Sequence, residues 1–170
     1  NAGNYNVCVV GRSGSGKSVF MQELITSILG LGGHVFVFDV GRSFEKLCRL
    51  LSGQFVEFSP NTNLCLNPFS TIPTDNDEVA SDALAMLKSV LIMMAAPNHG
   101  LDDSSAALLE QAMLETWQRY KNKSTISDIA DWLNERGTQK AEDLGQALYP
   151  YTTNGTYGRF FNGMSTVNLD

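Results

Sequence analysis

The residues Gly11-Arg12-Ser13-Gly14-Ser15-Gly16-Lys17-Ser18 have the spacing G-x-x-x-x-G-K-S and follow the apolar run Val7-Cys8-Val9-Val10, where a phosphate-binding loop belongs. A polyphosphate needs several backbone N–H groups converging on one anion with no side chains in the way, and glycines give that clearance. From Ser18 through Ile25 the chain reads as a helix whose first, unpaired amides and dipole face the same anion. In such a loop Lys17 sits at the β- and γ-phosphates and Ser18 on Mg²⁺. Arg12, Ser13 and Ser15 fill the variable positions, with side chains that read as solvated. The chemistry this spacing predicts is binding of a nucleoside triphosphate.

Hydrolysis needs more. An acid at the end of a strand must hold the metal shell, usually with a carboxylate that activates water. The candidate is Asp39, which closes the run Val35-Phe36-Val37-Phe38 and lies 22 residues after Lys17 on the next strand of the fold. Val40 follows it, where many motor ATPases place a glutamate. Two readings stand. Asp39 acts directly on metal or water, or it caps the turn Gly41-Arg42-Ser43 and the helix after it. On the second reading the metal-holding strand is expected beyond Asp170.

The elements around these residues alternate at first. Strands are expected at Tyr5–Val10, His34–Phe38 and Gln54–Phe58, with helices at Ser18–Leu29 and Phe44–Leu51 between them. That order predicts an α/β fold built on a βαβ unit with a partial parallel sheet. After Asn67-Pro68-Phe69 the pattern turns helical. Leu84, Leu87, Leu91 and Met94 recur at helical spacing, as do Leu109, Met113, Trp117 and Tyr120, and each set marks a core-facing stripe. Four helices are expected at roughly 76–95, 103–120, 126–136 and 140–148. Thr74-x-x-Asp77 and Thr125-x-x-Asp128 resemble capping boxes. Residues 1–74 then form the first part of the α/β core, 75–150 a helical subdomain, and 151–170 a return towards the core. The tail Val167-Asn168-Leu169 suits the start of a further strand.

Composition bounds these readings. The chain has 170 residues, 43% of them apolar, enough to bury a core. Its formal charge of −6, without a run of Lys and Arg, argues against a direct nucleic-acid site, where a basic stripe is expected. No apolar run is long enough for a transmembrane segment. Three scattered cysteines, Cys8, Cys48 and Cys65, fit reduced thiols better than a disulfide framework, and Cys8 reads as a buried strand residue. His34 and His99 have no ligand-spaced neighbours, so no protein-held structural metal is expected. The first residues carry neither a signal peptide nor an initiating Met, and the chain reads as a piece of a longer protein.

The segments around the loop are more specific than the loop. Asn4-Tyr5-Asn6-Val7, the stretch Phe38-Asp39-Val40-Gly41-Arg42-Ser43-Phe44-Glu45-Lys46-Leu47, Leu64-Cys65-Leu66-Asn67-Pro68-Phe69, and Gly155-Thr156-Tyr157-Gly158-Arg159-Phe160-Phe161-Asn162-Gly163 together resemble the conjugative-transfer ATPases, the TraC-like and VirB-type motors of type IV secretion. The resemblance covers most of the chain. It implies a P-loop NTPase with a RecA-like core and an all-helical insertion, with ATP and Mg²⁺ as ligands. It further implies a homo-hexamer at the cytoplasmic face of a bacterial inner membrane, held there by the type IV secretion machinery. ATP then drives pilus assembly or substrate transfer, and the cargo, whether DNA, protein or pilus subunit, is left open. Carried over residue by residue, nucleotide contacts fall on Gly11 through Ser18 and on Val19. Arg159 reads either as an arginine inserted at a neighbour's γ-phosphate or as a surface or fold-stabilising residue. Two other classes share the loop: a non-catalytic nucleotide-binding assembly module, and a small-molecule kinase, which would need an arginine-rich lid that residues 75–149 do not show.

Overall fold

The structure is a computed structural model that describes residues 5–59 and 62–167. Among these residues the regular elements are all helical: α1 (Lys17–Gly30), α2 (Glu45–Leu50), α3 (Asp77–Ala95), α4 (Asp103–Tyr120), α5 (Ile126–Asn134) and α6 (Gln139–Leu148), with short 3₁₀ turns at 121–123, 149–151 and 158–160. The chain divides into two compact units, residues 1–56 and 57–170.

The expected parallel sheet is not there, and the α/β, RecA-like assignment is corrected accordingly. No strand occurs among the described residues, and 5–10, 34–38 and 54–58 run as irregular chain. A strand exists only through the ladder of hydrogen bonds it makes with a neighbour, and apolar alternation shows suitability for a sheet rather than possession of a partner. Without that pairing the apolar side chains stay in water: Val10 is 87% and Phe38 100% exposed. Cys8 is exposed as well, not a buried strand residue. In the suggested strand at 167–169, Asn168 and Leu169 lie outside the described residues.

Within the first unit α1 is the principal element, and Ile25 is the one buried side chain among the described residues of 5–56. α2 carries the pair Arg49–Glu45, one turn apart and 2.9 Å long, and the Arg49 guanidinium stands 5.4 Å from the Phe55 ring centre.

The second unit owes its order to four amphipathic helices. α4 brings Leu109, Ala112, Met113 and Trp117 to one side, and these meet Leu84, Leu87 and Leu91 of α3, Ile129 and Leu133 of α5, and Leu144 and Leu148 of α6 in one continuous core. Each fully buried Leu or Ile contributes about 1.5–3 kcal/mol. The helix starts are chemically marked. At α5 Thr125 and Asp128 form the capping box expected of them, whereas at α3 the cap is Asn76 rather than Thr74, its Oδ1 accepting from the Glu78 and Val79 amides. At α4 Asp102 accepts from the Ser105 amide at 2.8 Å.

Ahead of the helices, Phe69 is fully buried, with its ring stacked on Trp117 at 6.5 Å. Beside it Asn67 is 1% exposed and fully engaged. Its Nδ2 donates to the carbonyls of Ser124 and Gly163, each at 2.8 Å, and its Oδ1 accepts from the Phe69 amide at 3.1 Å. One side chain thus pins three distant stretches of chain.

Replacing Asn67 with Ala strands buried carbonyls and should cost roughly 1–3 kcal/mol, read from the urea midpoint of the second unit. The Ser104 hydroxyl and then the Ser105 amide hold the Asp102 carboxyl well below the usual carboxylate range. A depressed folded pKa contributes stability that is present above the unfolded value, about 3.9, and is lost as pH falls through the folded one. Wild type should therefore lose urea resistance more steeply than Asp102→Asn between about pH 4 and pH 2.

Candidate nucleotide-binding site

The loop Gly11–Ser18 is shaped by its own backbone. Gly14 and Gly16 have φ of 78° and 88°, in the left-handed region that a Cβ disfavours. Ser15 N–H donates to the Arg12 carbonyl at 3.1 Å, so the chain folds back on itself before α1 begins. Gly16 caps α1 with no side chain, and no acidic residue lies in the first turn. The first amides of α1 are therefore not closed by a side chain.

Lys17 ties this loop together. Its Nζ donates to the carbonyls of Gly11 and Arg12, at 2.8 and 2.9 Å, so the ammonium is bound back over the start of the loop. The backbone carbonyls hold the charge in place without neutralising it. Ser18 and Val19 follow at the N-terminus of α1, both exposed. The hydroxyl of Ser18 is an oxygen ligand of the kind Mg²⁺ takes.

Asp39 lies in the same unit. Its Oδ2 accepts from the Phe44 amide at 3.0 Å, which makes it the acid of the turn leading into α2. Arg42 in that turn has φ 60° and approaches Glu45 at 3.9 Å. Gln22, on the α1 helix that starts at Lys17, donates from Nε2 to the Ser43 carbonyl at 3.0 Å and fastens the Asp39 turn to α1. Sequence reasoning missed Gln22. A glutamine on a helix face looks solvated, and a bond across 21 residues leaves no local signal.

Arg159 belongs to the second unit, within the 3₁₀ turn 158–160, with its guanidinium 4.4 Å from the Phe160 ring centre. The G-x-Y-G-x-x-F-x-G segment around it is a knot of close contacts. A Cβ on Gly158 would collide with the Thr152 carbonyl oxygen, and one on Gly155 with that of Tyr149. Asn162 donates to the carbonyls of Tyr151 and Gly158 and accepts from the amide and hydroxyl of Ser127, at 2.7–3.1 Å, so the knot is bolted to the start of α5. Tyr151 stacks on Tyr157 and meets Phe161 edge-on, both at 5.7 Å. These contacts fix the shape of the segment.

A glycine-lined loop closed by its own lysine at an uncapped helix start defines a P-loop domain. The chain belongs to the TraG P-loop domain family, whose pattern matches residues 1–169, in agreement with the conjugative-transfer resemblance of its motifs. It is 35% identical over 173 aligned residues to Protein TraC of Escherichia coli (strain K12), an alignment covering 95% of this chain. The chain spans 19% of the length of that relative. Its fold is similar to that of VirB4 of Thermoanaerobacter pseudethanolicus, with a TM-score of 0.70 at 18% identity over 94% of this chain and 46% of that one. No helix among the described residues is long and apolar enough to cross a membrane.

Gly158→Ala should lower the melting temperature of the second unit by several degrees. Gly30→Ala, where a Cβ meets nothing within 4 Å, should not. A thermal melt followed by circular dichroism separates the two.

Proposed function

We propose that this chain is the nucleotide-binding part of an ATPase of type IV secretion or conjugative transfer. The observation that carries the reading is the Lys17 ammonium held on two loop carbonyls beside an α1 N-terminus that no side chain caps and no acid neutralises. On this reading the amides of Gly14 through Val19 and Lys17 hold the β- and γ-phosphates of ATP, and Ser18 takes one position on Mg²⁺. The bound metal would supply charge neutralisation across the phosphates. The chain's own part is to orient the triphosphate and to keep its terminal phosphate against a fixed cation.

Asp39 is assigned the capping role first, because its carboxylate oxygen receives the Phe44 amide. A part in the metal shell through its other oxygen is the second reading. Arg159 is proposed as a residue a neighbouring subunit could meet in a homo-hexameric ring, beside its packing on Phe160. The hexamer, the position at the cytoplasmic face of the inner membrane and the use of ATP to move a cargo rest on the family. They apply to the protein that carries this domain.

A titration with fluorescent ATP and Mg²⁺ tests the loop. Wild type should bind, and Lys17→Ala should lose binding by at least tenfold while its far-UV spectrum is unchanged. Equal affinity for the two would overturn the reading. Phosphate transfer to an added metabolite would point to the kinase class instead.

A further inference from the structure

One peptide group joins the helix of the glycine loop to the turn that holds Asp39. The Ser43 carbonyl accepts from Gln22 Nε2 at 3.0 Å, and the amide across the same peptide bond, that of Phe44, donates to Asp39 Oδ2 at 3.0 Å. A peptide group is planar and stiff, so a movement of its oxygen is also a movement of its N–H. Hydrogen bonds in series through such a group polarise one another. Gln22, the Ser43–Phe44 peptide and the Asp39 carboxylate therefore form a short relay within the first unit.

The near end of the relay lies at the loop. Gln22 stands four residues after Ser18 on α1, so the two share a helix face. Its side chain leans towards the helix N-terminus, over the turn that carries Ser18. The far end is a turn that does not hold its shape by itself. Gly41 and Arg42 have φ of 127° and 60°, and a non-glycine residue keeps such a backbone only where its surroundings fix it. The Asp39–Phe44 bond closes this turn on itself, and the Gln22 bond refers it to α1. With Ile25 as the one buried side chain among the described residues of this unit, little apolar packing stands in for that bond.

We propose that Gln22 is a positioning residue of the nucleotide site: it sets the Asp39 turn against the first turn of α1, so that filling the loop also orders residues 39–44. The proposal rests on the reading of the loop as a nucleotide site. Phosphates on the first amides of α1 hold the turn over which Gln22 reaches. The relay passes that order to the Phe44 amide and the Asp39 carboxylate, and Gln22 acts through the Ser43 carbonyl alone.

Amide exchange resolved residue by residue by NMR, without and with ATP and Mg²⁺, reads both ends of the relay. In the free protein, Gln22→Met, which keeps the length and loses the donor, and Asp39→Ala should each speed exchange at Phe44 by at least about fivefold, and the double variant should be no faster than the faster single one. With ATP, wild type should gain protection at Ser18 and Val19 and, by at least about fivefold, at Phe44. Gln22→Met should keep the gain at Ser18 and Val19 and lose it at Phe44. Gln22→Lys, whose ammonium can reach the same carbonyl, should restore it. A merely structural glutamine would change the free-protein rates and leave the response to ATP intact. Protection of the loop with no response at Phe44 in wild type, or an undiminished response in Gln22→Met, overturns the proposal. Absence of protection at Ser18 and Val19 in wild type overturns instead the nucleotide reading and the coupling with it, while the free-protein rates still report whether Gln22 fixes the turn.

Discussion

The second unit depends on the need of a buried amide for partners. Asn67 lies where no water reaches, and each of its polar atoms must be answered by the chain. The answers come from Phe69, from Ser124 beyond the end of α4, and from Gly163 past the aromatic knot. Only one arrangement of these stretches brings all three within reach. The apolar packing of α3 to α6 supplies most of the free energy, but apolar contacts tolerate sliding, and a saturated amide does not. Neighbouring bonds extend the same constraint. The Ser124 hydroxyl donates to the Lys121 carbonyl, the Ser165 amide donates to Ser70 Oγ, and the Leu66 amide donates to the Phe160 carbonyl.

The first unit solves a different problem by opposite means. Its functional loop must present donors rather than satisfy them, so Gly16 begins α1 without a side-chain cap. At α3, α4 and α5, by contrast, Asn76, Asp102 and Thr125 close the same kind of helix end. Lys17 provides internal order at the loop without an acid, by giving its protons to two carbonyls. A carboxylate there would order the loop equally well and repel phosphate.

Legibility in the sequence followed the range of the forces. The four helices of the second unit appeared within a few residues of expectation, because stripes such as Leu109, Met113 and Trp117 are local and their faces are truly buried. The capping box at Thr125 was legible for the same reason, since its donors and acceptors lie within a few residues of each other. The sheet was misread where the evidence was non-local. Val35 to Phe38 has the composition of a strand, yet pairing is a relation between segments, and composition does not contain it. The bonding roles of Gln22 and Asn67 were illegible on the same ground: their partners lie 21, 57 and 96 residues away. The G-x-Y-G-x-x-F-x-G segment was recognisable, but its glycines serve close backbone approach and its asparagine serves as a bolt, uses that only coordinates reveal.

The unequal burial of the two units divides their thermodynamics. With Ile25 as the one side chain withdrawn from water among its described residues, the first unit has little apolar burial to resist local opening, whereas the second has a core drawn from four helices. A ligand that binds only the folded form adds RT ln(1 + [L]/Kd), about 2.7 kcal/mol at a hundredfold excess over Kd. That amount is a sizeable share of the roughly 5–15 kcal/mol of an ordinary domain, and a larger share for a unit with so little apolar burial. On the proposed reading, nucleotide at this loop would act as a structural component of the unit that holds it, and amide exchange along α1 would gauge how often the loop is filled.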